Sequence, residues 1–208
     1  MKQEELQRVL PGFNDPVMGS HTVFRCALQA LSMPGRPVDV PAVAQLPRQG
    51  HRSAALVLLA LMDSDCTVWL SPSLRESDTR AWLRFHTGCE CVDDPAQARF
   101  LWLAEGDAWP SLASMDAGSD HYPDQSATCV MEVAAFDGDD VKVWHLDGPG
   151  IDGSRRLATR GLPLDFEEQW SANHAGFPRG VDVFLAAPAQ LVGLPRSTRL
   201  SCADVVEV

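Results

Sequence analysis

The run Ser53-Ala54-Ala55-Leu56-Val57-Leu58-Leu59-Ala60-Leu61-Met62, followed after three polar residues by Cys66-Thr67-Val68-Trp69-Leu70-Ser71-Pro72, decides the fold class. The first segment is almost wholly apolar and as long as an ordinary helix, so it reads as a buried helix. The second is short, rich in β-branched and aromatic residues, and stops at a serine-proline break, so it reads as a strand. A helix that runs straight into a strand is the unit from which α/β folds are assembled.

Towards the N-terminus, Asp15-Pro16 supplies a capping residue followed by proline at the first helical position. Val17, Phe24, Leu28 and Leu31 then recur at helical spacing with Val23 and Ala27 beside them, until Pro34-Gly35 ends the pattern. Residues 34–50 hold four prolines and two glycines and read as a surface connector. Met1 to Leu10 alternates charges with Leu6, Val9 and Leu10 and lacks the apolar core of a signal peptide.

Towards the C-terminus, Ser77-Asp78 opens a helix to about His86, with Leu74, Ala81, Trp82 and Phe85 facing inward and Gly88 ending it. Cys89 to Val92 and Arg99 to Leu103 read as short strands separated by Asp94-Pro95. Residues 104–126 are loop-rich, with one short helix at Trp109 to Met115. Thr128 to Phe136 and Val141 to Leu146 flank Asp137-Gly138-Asp139-Asp140, a hairpin signal that sets Glu132 opposite His145. A glycine-rich loop from Asp147 to Pro163 leads into a helix from Asp165 to Ala175, with Glu168 closing a capping box on Asp165. Val181 to Ala187 reads as a buried strand and Thr198 to Val208 as a terminal strand or strand pair. The expectation is an α/β protein forming one domain over residues 1–208, with a mixed sheet of six or more strands covered by helices on both faces.

A chain of 208 residues buries roughly 70% of its unfolded surface, so neither metal nor disulfide is needed to fold it. The net charge of −11 repels polyanions, which argues against nucleic acid or an anionic membrane as partner. Only Lys2 and Lys142 are lysines; the remaining basic residues are arginines, whose planar fork suits phosphate, phosphonate or carboxylate. The six cysteines are irregularly spaced and read as reduced thiols. No apolar run approaches the ~20 residues that span a bilayer, and the expected location is cytoplasmic.

No familiar catalytic pattern stands out. Cys89-Glu90-Cys91 has no second pair at zinc-ligand spacing and reads as two thiols on one face of a strand edge. His121 to Ser126 mixes acid-base groups without a nucleophile elbow. Asp147-Gly148-Pro149-Gly150-Ile151 fits neither phosphate-binding fingerprint and reads as a turn, with Arg155-Arg156 close behind. Two clusters are more suggestive. Leu83-Arg84-Phe85-His86-Thr87-Gly88 puts two basic groups at a helix end, and Phe177-Pro178-Arg179-Gly180-Val181-Asp182 opens a strand with an arginine and an aspartate together.

These last two clusters also belong to a longer series: Pro11-Gly12-Phe13, Asp15-Pro16-Val17, Val23-Phe24-Arg25, Ala30-Leu31-Ser32-Met33-Pro34-Gly35, Val68-Trp69-Leu70-Ser71, Gly148-Pro149-Gly150-Ile151 and Leu194-Pro195-Arg196-Ser197-Thr198. In order and spacing the series resembles the PhnH family, one of the protein families that make up the bacterial carbon-phosphorus lyase system, over nearly the whole chain. Ser126 stands where that family commonly has glycine. The resemblance implies a three-layer α/β/α fold with a mixed sheet, like that of pyridoxal-phosphate-dependent transferases. A Schiff base needs a lysine amine in a pocket, which terminal Lys2 and turn-proximal Lys142 do not offer, so no cofactor is expected. No metal is expected either.

The resemblance further implies a place in the alkylphosphonate ribose triphosphate synthase step, in which a phosphonate replaces adenine on the ribose of ATP. Its partners would be subunits G, I and J, with a homodimer possible, and its own task organising the complex; no catalytic residue is identified. Arg84, His86, Arg179 and Arg196 are the candidate anion-binding residues. The alternatives are a stand-alone enzyme or binding protein for a small anionic metabolite, using Arg84, His86 and Arg179, and a homodimer without chemistry.

Overall fold

A computed structural model describes residues 11–202, so the readings of Met1 to Leu10 and of the last part of Thr198 to Val208 lie outside the described residues. The first helix, α1 (Pro16–Ser32), starts where the sequence says it must: the Asp15 carboxylate accepts the N–H groups of Val17 and Met18, each at 3.0 Å. Its orientation is the surprise. The residues turned inward are Gly19, Val23, Ala27 and Ala30, whereas Val17, Phe24 and Leu28 are 76%, 46% and 52% exposed. The cause lies beneath it. A Cβ on Gly193 would come within 2.6 Å of the Ala30 backbone, so helix and strand meet backbone to backbone and only small side chains fit between them.

After β1 (Val38–Asp39) come the buried helix α2 (Arg52–Leu61), β2 (Thr67–Leu70), the single turn α3 (Pro72–Arg75), α4 (Thr79–Thr87) and β3 (Glu90–Cys91). Leu74 and Trp82 are buried as expected, but Phe85 is exposed. The chain continues through β4 (Phe100–Leu103), β5 (Thr128–Glu132), β6 (Lys142–Asp147), β7 (Arg155–Thr159), α5 (Phe166–Ala175), β8 (Asp182–Ala186), β9 (Gln190–Leu194) and β10 (Arg199–Cys202). Asp165 does not form the expected capping box; its carboxylate instead accepts from Gln169 Nε2 at 2.8 Å. Leu112–Ser114 is one turn of 3₁₀ helix where a short helix was expected.

Seven strands form one mixed sheet in the order β1-β9-β8-β5-β4-β2-β3. From β8 to β3 all neighbours are parallel, while β9 and β1 add an antiparallel margin. The remaining strands make a separate antiparallel sheet, β10-β6-β7. Two apolar clusters divide the residues of the large sheet by alternation. Val68, Leu70, Phe100, Trp102, Val130 and Phe184 pack with α1, α2 and α4. Trp69, Leu101, Leu103, Cys129, Met131 and Leu185 pack with α5 and the small sheet.

The expected hairpin of Thr128 to Phe136 with Val141 to Leu146 does not form. Burial explains why. From Cys129 to Glu132 every residue of β5 is buried, the signature of a strand covered on both faces, and it takes parallel partners on either side. In β6, Trp144 and Leu146 are buried while Lys142 and His145 are exposed, so it belongs in a sheet with one wet face. His145 therefore lies between Arg156 and Ser201, far from any pairing with Glu132. The glycine-rich stretch from Asp147 to Pro163 also contains β7, which read as loop because its apolar residues are few.

Candidate functional site

In an open α/β sheet the crevice for a ligand forms at the C-terminal ends of parallel strands, where two neighbours send their connections in opposite directions. Here those neighbours are β2, which leads to β3 on one side, and β4, which leads to β5 on the other. The crevice between them is laced shut by short polar contacts. Ser71 N–H donates to the Trp102 carbonyl at 3.0 Å, and Ala104 N–H donates to Ser71 Oγ at 2.9 Å. Ser73 gives Asp107 both its N–H, at 3.0 Å, and its hydroxyl, at 2.8 Å. Burial pushes the Asp107 carboxyl up, but hydrogen bonds from Ser71 and Ser73 outweigh it and hold the group below its ordinary value.

A second carboxylate fills the adjoining space. Glu132, at the end of β5 and only 2% exposed, accepts from the N–H of His51 at 2.5 Å, Trp102 Nε1 at 2.8 Å and the N–H of Glu105 at 3.2 Å. Gly50 has φ +92, and a Cβ there would strike the Trp102 ring, which is why the chain can turn into α2 so close to this acid. His51 Nδ1 lies 2.9 Å from the Ala186 carbonyl, an acceptor only, so that nitrogen carries the proton. Its Nε2 faces the Glu105 carboxylate at 3.4 Å and pairs with it when the ring is charged. Sequence reasoning missed this group. The signal available was a carboxylate embedded in the apolar run Thr128 to Phe136.

The four residues chosen from sequence all lie at the other edge of the large sheet, where the parallel strands begin. Arg196 is almost enclosed and is held from several sides: Nε and NH2 donate to Asp182 at 3.1 and 2.5 Å, NH2 also to Ser126 Oγ at 2.6 Å, and NH1 to the Pro123 carbonyl at 2.5 Å. Arg179 is half exposed and meets Asp120 at 3.2 Å. Arg84 is exposed on the last turn of α4, and His86 accepts the Gly12 N–H at 3.0 Å with its ring edge-on to Trp82 and Phe85. Four strand spacings, about 19 Å, separate β8, next to Arg179 and Arg196, from β3, next to Arg84 and His86. The fold brings each pair together and keeps the pairs apart.

A groove of about 510 Å³ runs between α5 and Ser111 to Ala117, with Arg179 and Glu168 in its lining. A smaller cavity of about 290 Å³, walled by Trp109 and Phe166, shares Asp165 and Gln169 with it. The Lys142 amine lies 4.1 Å from the Trp144 ring centre and 3.7 Å from Glu167, on the small sheet rather than in a pocket. Among the described residues no three histidines, cysteines or acids are grouped to hold a metal, and no helix is long and apolar enough to cross a membrane.

Residues 11–201 match the family described as bacterial phosphonate metabolism protein (PhnH). Among curated proteins the chain is 37% identical to an alpha-D-ribose 1-methylphosphonate 5-triphosphate synthase subunit PhnH of Rhizobium meliloti, over 90% of this chain and 93% of that one. It is 33% identical to a putative C-P lyase subunit protein HtxG of Stutzerimonas stutzeri, over 86% of this chain and 85% of the relative.

Proposed function

The chain belongs to the PhnH family of bacterial phosphonate metabolism proteins, and from that membership we propose that it is a subunit of an alkylphosphonate ribose triphosphate synthase in the carbon-phosphorus lyase pathway, organising the complex rather than carrying the transfer. The observation behind the second half of this reading is the self-occupied crevice. The backbone donors that a switch-point crevice would offer an anionic substrate, at Ser73 and His51, already serve Asp107 and Glu132. A phosphonate or triphosphate arriving there would meet carboxylates on a chain of net charge −11.

The companions in this reading are subunits G, I and J, the setting is the cytoplasm, and the chain acts as one domain layered α/β/α like the pyridoxal-phosphate-dependent transferases. The outward stripe of α1, Val17, Phe24 and Leu28, is the surface we assign to a companion. Arg84 and Arg179, whose guanidinium groups remain at the surface, are the residues we assign to anionic groups of the assembly, with His86 and Arg196 holding the local structure. The same stripe also suits a second copy. Sedimentation over a range of concentrations distinguishes the two, because self-association weakens on dilution.

Co-expression with the G, I and J subunits tests the proposal. The chain is expected to co-purify with them, and Phe24→Asp with Leu28→Asp should abolish co-purification while leaving the unfolding midpoint of the isolated chain unchanged. Recovery of the chain alone, with growth on methylphosphonate intact after its deletion, would refute the reading.

A further inference from the structure

Cys91, the last residue of β3, and Cys89, just ahead of that strand, are two positions apart in extended chain and so share one face. They flank Glu90 at the outer edge of the large sheet, and both sulfurs turn to the cluster built on α1, α2 and α4. Cys89 is buried, with its N–H bonded to Thr87 Oγ1 at 3.1 Å, while Cys91 is partly open to solvent. The two thiols are hydrogen-bonded to each other, Arg80 hydrogen-bonds Cys91, and Arg84 adds its charge to both. Two residues of extended chain span about 6.6 Å, at the upper end of the roughly 4.4–6.8 Å over which Cα atoms accommodate a bridge, so closing one draws the chain together at Cys89, just ahead of β3. None of the six cysteines is in a disulfide.

We propose that Cys89 and Cys91 form a reversible thiol-disulfide site whose reaction partner is an oxidised low-molecular-weight thiol. The Cys91 thiolate attacks one sulfur of the small disulfide, forming a mixed disulfide and releasing one thiolate. The Cys89 thiol, deprotonated as it attacks, then displaces the second thiolate from Cys91; a Cys89–Cys91 bond has formed, the small disulfide has been reduced to two thiols, and the protons leave with them. Only Cys91 has to be reached from solvent, which matches the burial of its neighbour.

The local charges assign these roles. The Cys91 thiol is drawn down to about 6, chiefly by the hydrogen bond from Cys89, against the opposing effect of burial, with further help from Arg80 and Arg84. Cys89 is pushed up by the same hydrogen bond and by burial. Burial also pushes up Cys26, Cys66 and Cys129, which leaves Cys91 distinct among its chemical neighbours. At pH 6 about half of Cys91 is thiolate, roughly a hundredfold more than for an ordinary thiol, and the lower intrinsic nucleophilicity of a weakly basic sulfur reduces the net advantage to about tenfold.

The test uses the full-length protein, oxidised glutathione as probe, and peptide mapping. The wild type should lose two hydrogens from the peptide holding Cys89 and Cys91 and regain them with reduced glutathione. Cys89→Ser should trap a glutathione adduct on Cys91, and Cys91→Ser should show neither product. Iodoacetamide at pH 6 should label Cys91 of the wild type about tenfold faster than Cys26 or Cys66, and Arg80→Gln should narrow that difference. A bridge mapped to Cys66, no adduct on Cys91 in Cys89→Ser, or labelling of Cys91 no faster than of Cys26 would overturn the proposal.

Discussion

Removing the Glu132 carboxylate strands the Trp102 Nε1–H in the core and takes the acceptor from the part-buried N–H groups of His51 and Glu105. Buried donors without acceptors are costly, so Glu132→Ala should lower stability by about 2–4 kcal/mol, read as a shift of the urea midpoint. Asp107 supplies a pH test. Its folded value lies below the ordinary 3.8, so its contribution is present above that pH and disappears as pH falls through the folded value. The stability gap between the wild type and Asp107→Asn should therefore close on acidification below about pH 4. A gap that stayed constant down to acid unfolding would show that the serine bonds do not favour the charged form. At this scale the sequence was only partly readable. Arginines advertise themselves by type, and three of the four candidates rest on that; yet Arg196 serves Asp182, Ser126 and the Pro123 carbonyl.

Helix α1 and the link from β5 to β6 show which element signals can be trusted. Asp15-Pro16 and Pro34-Gly35 act within a few residues of themselves, so the bounds of α1 were legible, while its inward face was not, because Gly193 on a strand far along the chain dictates it. Asp137-Gly138 made an equally local promise of a hairpin, but burial on both faces drew β5 into the parallel sheet. The two readings differ in a measurable way. A glycine inserted beside Gly138, where an added Cβ has open space, should leave the unfolding free energy within about 0.5 kcal/mol of wild type. In a tight hairpin the same insertion would slip the register and turn every side chain of one strand over.

For the whole molecule, the alternation of helix and strand announced an α/β protein, but strand order is not written in any local stretch, and order decides which loops share an edge. That is why the candidate arginines fell at the edge where the strands begin while the crevice edge went unnoticed. The self-occupied crevice predicts that the isolated chain, given ATP and methylphosphonate, releases no adenine by chromatographic assay. Turnover by the lone chain would mean that Asp107 and Glu132 yield to substrate. The seat of α1 on β9 carries one more consequence. With no side chain between Ala30 and Gly193, nothing compliant separates helix from sheet, so a load placed on the outer surface of α1 reaches the antiparallel margin undamped. A companion gripping the helix should then slow amide exchange along Gln190 to Leu194, on the far side of the helix from its own footprint, and stiffen the margin it never touches.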